Sequence, residues 1–137
     1  MKPTILIADT NNQTRKQLKN LFKREKYIVE TACMASEVIK QVQNNNIDIV
    51  IMDVDLLEMK GYEIVQILKK IHGNLPIIMM SQDSSLKVAK RVRETGVFFY
   101  ALKPLDVNEI ITAVSDAFKK IRLQSSRGMG GRSCNTT

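Results

Sequence analysis

Ile49-Val50-Ile51-Met52-Asp53 decides how this chain is read. Four consecutive apolar residues leave no face for water, as a strand covered on both sides requires. A carboxylate follows at once. Three other apolar runs end on a polar group: Ile5-Leu6-Ile7-Ala8 at Asp9, Ile77-Ile78-Met79-Met80 at Ser81, and Phe98-Phe99-Tyr100-Ala101-Leu102 at Lys103-Pro104. Parallel strands bring their C-terminal ends to one edge of the sheet, where open α/β folds place their sites. Two carboxylates, a hydroxyl and an amine then gather in one small volume.

The segments between these runs have helical spacing. Residues 12–25 place Leu18, Leu21 and Phe22 inside and Arg15, Lys16, Lys19 and Lys23 outside. Ser36 reads as an N-cap for a helix over 37–43, with Val38, Ile39 and Val42 on the inner face. A third helix covers 62–71 and stops at Gly73 and Pro76. A fourth covers 84–95 and ends on Gly96, a left-handed cap. A fifth covers 106–123. Strands are expected at 4–9, 27–32, 47–53, 76–81 and 97–102, with a loop at 54–61. Strict alternation of strand and helix argues for a parallel sheet covered on both faces. Right-handed crossovers then favour a flavodoxin-like three-layer sandwich of five βα units, strand order 2-1-3-4-5. That order sets the first and third strands side by side and brings Asp9 to Asp53. The expected domain is 1–123, and 124–137 reads as a disordered polar tail.

The chain has 137 residues, the size of about one domain. Apolar content is 44%, enough for a full core, while aromatic content is 5% with no Trp, so aliphatic residues must fill it. The longest apolar run is far shorter than the roughly 20 residues a membrane helix needs. The first such run meets Asp9 after four residues, unlike a signal peptide. A cytoplasmic protein is expected. Cys33 and Cys134 are too few for a disulfide framework, and His72 is the one histidine, which argues against zinc or histidine-triad chemistry. The net charge of +7 reads as a soluble, Lys-rich surface.

The residue types at the strand ends suit phosphoryl chemistry. A carboxylate oxygen can attack phosphorus and become an aspartyl phosphate. Carboxylates and a backbone carbonyl can hold a hard divalent cation, which offsets charge on phosphoryl oxygens. A Lys brings a point charge to the same oxygens, and a hydroxyl can donate to one of them. A lone Asp after a strand is more often a turn former, so the weight lies in the ensemble.

With these pieces in order, the chain resembles the receiver domain of bacterial two-component response regulators. The resemblance rests on Ile5-Leu6-Ile7-Ala8-Asp9, Asp48-Ile49-Val50-Ile51-Met52-Asp53, Met59-Lys60-Gly61, Pro76-Ile77-Ile78-Met79-Met80-Ser81 and Gly96…Tyr100…Lys103-Pro104. It implies that Asp53 is the phosphoacceptor. It implies a Mg²⁺ site made by Asp9, Asp53 and the backbone carbonyl of Asp55. Ser81 and Lys103 would bind the phosphoryl group, and Ser81 with the aromatic Tyr100 would form the switch. The Lys103–Pro104 bond is expected to be cis. The donor would be a histidine kinase or a histidine phosphotransfer protein.

Some positions depart from the family. Thr10 stands where the second acid of the metal pair is usual, and a neutral hydroxyl is a poorer ligand for a hard cation. Mg²⁺ is therefore expected to bind weakly. Leu57 replaces the usual proline, and Gln82 a small residue. On the fourth helix Lys87, Lys90 and Arg91 share one face; this is either a solvated surface or a partner surface. A homodimer through the fourth helix, fifth strand and fifth helix is the functional version. No base-reading element follows the fifth helix, so direct nucleic-acid contact by this chain is not expected. Two competitors stand beside the switch. One is a docking module that no longer takes phosphate because of Thr10. The other is a haloacid-dehalogenase-type phosphatase, which Asp53-Val54-Asp55 fits but Leu57 and the absence of a late acidic pair do not. A flavin-binding module is weaker still, because 10–14 lacks a phosphate-cradling composition.

Overall fold

The computed structural model of the chain describes residues 3–132, with side chains through residue 124. The elements alternate throughout: β1 (Thr4–Ala8), α1 (Asn12–Arg24), β2 (Ile28–Ala32), α2 (Ala35–Asn44), β3 (Ile49–Asp53), α3 (Gly61–Ile71), β4 (Ile77–Ser81), α4 (Leu86–Glu94), β5 (Phe99–Leu102) and α5 (Val107–Arg132). All strand pairs are parallel, and the order is β2-β1-β3-β4-β5, as expected.

The all-apolar strands still obey period two. Leu6, Ala8, Val50, Met52, Ile77 and Met79 point to one face, where Val38, Val42, Ile64, Val65, Leu68 and Val92 from α2, α3 and α4 cover them. Ile5, Ile7, Ile49, Ile51, Ile78 and Met80 point to the other, under Leu18, Leu21 and Phe22 of α1 and Ile110, Val114 and Ala117 of α5. Burying the central strands on both sides accounts for their lack of polar residues. Each Val, Leu, Ile, Met or Phe side chain among them contributes about 1.5–3 kcal/mol when fully buried. The outer strand β2 exposes Ile28, in keeping with its place at the sheet edge.

Helix ends follow local chemistry. Asn11 caps α1 by accepting the Thr14 N–H at 3.1 Å, and Ser85 caps α4 by accepting the Val88 N–H at 3.3 Å. Gly96 closes α4 at φ +77°, the left-handed conformation expected of it. Most element ends fall within one or two residues of the sequence reading, and two departures have a clear cause. Ser36 is not the N-cap of α2, because Met34 takes that position and the helix begins at Ala35. There Glu37 accepts the Cys33 N–H and Glu58 accepts the Ser36 N–H, so carboxylates replace a serine cap. In α5 the helix continues past Leu123 to Arg132. No proline interrupts this stretch, so each further residue adds a helical hydrogen bond. Of the expected tail, 133–137 lies outside the described residues.

Candidate functional site

Register brings the strand ends together. Ala8 pairs with Met52, which sets Asp9, one residue past β1, beside Asp53 at the end of β3. Ser81 pairs with Leu102, and the Lys103 N–H continues the ladder to the Ser81 carbonyl at 2.8 Å. The next bond, Lys103–Pro104, is cis as expected. From there the Lys103 ammonium reaches back over the edge. It lies 2.7 Å from Asp9 Oδ2 and 2.5 Å from Asp53 Oδ2. Asp9 is 2% exposed and Asp53 4%. The two acids do share a cation, and here it is an amine.

Electrostatics follow from this burial. Desolvation pushes the Asp53 carboxyl above the usual range and the Asp9 charge adds to it. The Lys103 ammonium and the Asp55 N–H oppose the shift without cancelling it. For Lys103, burial favours the neutral amine, but the bonds to Asp53 and Asp9 outweigh it and hold the ammonium above its ordinary value. The remaining carboxylate oxygens are tied to backbone. Asp53 Oδ1 accepts the Asp55 N–H at 2.7 Å, and Asp9 Oδ1 accepts the Asn11 N–H at 2.8 Å.

Other residues of the set lie around this triad. Asp55 is exposed and its side chain binds the Lys60 ammonium at 2.5 Å. Thr10 is exposed and supplies no carboxylate. Among the described residues no group of three acidic, His or Cys side chains gathers as a metal cage. The donors therefore amount to the Asp9 and Asp53 carboxylates with help from backbone and water. That set fits Mg²⁺, which retains several waters and needs few carboxylates, but it is a lean one.

Ser81 is fully buried, yet its hydroxyl does not join the triad. It closes a turn by accepting the Asp83 N–H at 2.9 Å. The half-buried Tyr100 donates its hydroxyl to the Asp83 carbonyl at 3.2 Å. The two switch candidates thus meet at one residue, Asp83, which the sequence reading did not single out. Its signal was the run Ser81-Gln82-Asp83-Ser84-Ser85, typical of side-chain-capped turns. Lys60 and Arg15 were also passed over as site residues. Arg15 donates to the Asp9 carbonyl at 2.6 Å and to Asn12 Oδ1 at 3.1 Å. On α4, Lys87 and Lys90 are exposed, whereas Arg91 stacks its guanidinium 4.5 Å from the centroid of Tyr62 and ties α4 to α3.

The family model for the response regulator receiver domain matches residues 5–115, the stretch that holds every group above. The chain belongs to this family. It is 33% identical over 114 residues to the DNA-binding transcriptional regulator NtrC of Azospirillum brasilense, covering 83% of this chain and 24% of that protein. It is 28% identical over 123 residues to the probable transcriptional regulator ycf27 of Cyanidium caldarium, covering 90% of this chain and 49% of that one. The receiver chain thus spans a quarter to a half of the length of these two regulators. Among solved structures, the CheY-like receiver domain of Methanospirillum hungatei matches with TM-score 0.86 at 22% identity, covering 90% of this chain and 99% of that one. A receiver domain from Clostridium thermocellum matches with TM-score 0.82 at 26% identity, covering 89% and 98%. Receivers are signalling switches rather than conventional enzymes and take phosphate from histidine kinases. No described helix of this receiver is long and apolar enough to cross a membrane.

Proposed function

We propose that this receiver is a cytoplasmic phosphoacceptor switch that takes a phosphoryl group on Asp53 from a histidine kinase or histidine phosphotransfer protein. The observation that carries this reading is the buried Asp9–Lys103–Asp53 cluster at the C-terminal edge of the sheet. An Asp53 oxygen forms the new bond to phosphorus. The bond from phosphorus to the donor imidazole nitrogen breaks, and that nitrogen keeps the electron pair. Lys103 already pairs with Asp53 and is placed to pair with the phosphoryl oxygens while it stays on Asp9. Asp9, Asp53 and the Asp55 carbonyl would hold Mg²⁺, weakly because Thr10 adds no charge. When bound, the cation offsets negative charge on the phosphoryl oxygens.

The switch is read from what Ser81 must give up. To donate to a phosphoryl oxygen, its hydroxyl leaves the Asp83 turn. Asp83 also anchors Tyr100, so moving the turn releases the tyrosine hydroxyl. Phosphorylation thereby shifts a pre-existing equilibrium at the α4–β5–α5 surface. Lys87, Lys90 and Arg91 mark the face for a partner or a second copy; direct nucleic-acid contact is not part of this reading. Hydrolysis of the aspartyl phosphate would be intrinsic.

The test is incubation with acetyl phosphate and Mg²⁺ followed by intact-protein mass spectrometry. Wild type gains one phosphoryl mass and Asp53→Asn gains none. Thr10 favours a second reading, a docking module that takes no phosphate; an unmodified wild type at saturating Mg²⁺ would establish it.

A further inference from the structure

Lys60 lies beside the site with a side chain to which the sequence reading gave no role. It begins α3 as its N-cap, and its own N–H is fixed by Glu63 Oε1 at 2.9 Å. Its backbone pairs with that of Asp55 in an isolated antiparallel bridge. The backbone is therefore pinned while the side chain, 52% exposed, keeps its freedom. The ammonium rests on Asp55 Oδ1, and the same Asp55 donates its N–H to Asp53 Oδ1 at 2.7 Å. Two short bonds through one residue connect the ammonium to the phosphoacceptor oxygen.

The charge balance points the same way. A phosphoryl group adds roughly −1.5 to −2 at neutral pH. It arrives at a carboxylate that already faces Asp9. Lys103 is divided between both acids, Arg15 is committed to the Asp9 carbonyl and Asn12, and Thr10 removes the acid that would draw a cation in. Lys60 is the nearby cation held by a single exposed carboxylate, a bond that costs little to exchange.

We propose that Lys60 is a second phosphoryl-binding residue, whose ammonium exchanges Asp55 for the phosphoryl oxygens on Asp53 and competes with a divalent cation for that side of the site. The inference rests on the phosphoacceptor reading above. Its consequence is a receiver that takes phosphate with a reduced need for Mg²⁺.

The experiment measures phosphoryl incorporation from acetyl phosphate by intact mass, with EDTA in place of Mg²⁺ and across a Mg²⁺ series. Wild type, Lys60→Gln, Lys60→Arg and the surface control Lys40→Gln, an exposed position on α2, are compared, with thermal unfolding to confirm that each is folded. Wild type incorporates phosphate in EDTA, Lys60→Gln is slower by about tenfold, as loss of one charge-assisted hydrogen bond predicts, and Lys60→Arg is restored. Calorimetric titration of the unphosphorylated protein shows Lys60→Gln binding Mg²⁺ more tightly, by roughly tenfold. No incorporation by wild type in EDTA, or equal rates for wild type and Lys60→Gln there, overturns phosphoryl binding by Lys60. Unchanged Mg²⁺ affinity overturns the competition. A wild type that takes no phosphate even at saturating Mg²⁺ brings down the phosphoacceptor reading instead, and this inference with it.

Discussion

At the scale of single residues, the buried triad sets two opposing costs. Asp53 has its pKa raised in the folded chain, chiefly by desolvation. The native state therefore binds this proton more readily than the unfolded state does. Its contribution to stability is fullest below the ordinary carboxylate value and is lost as pH rises through the raised one. Asp53→Asn is expected to be more stable than wild type at neutral pH, and the advantage should shrink toward about pH 4, where carboxylates protonate. Denaturant midpoints across that range check the slope; a constant difference would assign the gain to something other than ionisation. Lys103→Met has the opposite sign. It leaves two buried carboxylates with no counter-ion and should cost about 3 kcal/mol. Adding Asp53→Asn should recover part of that loss, which a double-mutant cycle in urea measures. Thr10→Asp restores an acid beside Asp9 and should tighten Mg²⁺ binding by about tenfold. Titration against wild type and Asp55→Asn tests it, and an unchanged affinity would mean that position 10 does not face the cation.

At the scale of elements, the site depends on how closely α3 starts under β3. A Cβ on Gly61 would stand 2.6 Å from the Asp53 carbonyl oxygen, 3.0 Å from Met79 Sδ and 3.2 Å from Val54 Cα. Two of those three neighbours are backbone, which cannot move aside without moving Asp53. Gly61→Ala is expected to cost about 1–3 kcal/mol, the usual range for overpacking. It should also slow phosphoryl incorporation, because Asp53 must shift; an unaltered rate in a destabilised variant would separate fold from site. The sequence made the elements themselves legible, because apolar runs bounded by Gly, Pro and acids have one reading in an alternating α/β pattern. Asp9, Asp53, Ser81 and Lys103 could be named in advance because each is the first polar group after such a run. The details that escaped depend on side-chain reach. Nothing in the string says that Glu37 and Glu58 serve the start of α2, that Arg91 covers Tyr62, or that Lys60 turns back to Asp55.

At the scale of the whole molecule, α5 is the long element of the helix layers, and its burial changes along its length. The face under α1 and α5 takes its last fully buried side chain from Ala117, with Phe118 and Ile121 packed partly against the same cluster. Leu123 is already 60% exposed. Among the side chains described, burial thus fades between Ile121 and Leu123, while the α5 backbone runs on to Arg132. Three of the last residues of α5 are glycines, each costing roughly 1 kcal/mol relative to alanine in a helix. The stretch beyond Gln124 should therefore add little to the stability of the sheet. A chain ending at Gln124 is expected to unfold in one cooperative step, with a midpoint within a few degrees of the full chain, and to take up phosphate at the same rate. Circular dichroism melts and the acetyl phosphate assay measure both. A markedly lower midpoint would place part of the core's support in the extension and move the domain boundary toward the C-terminus.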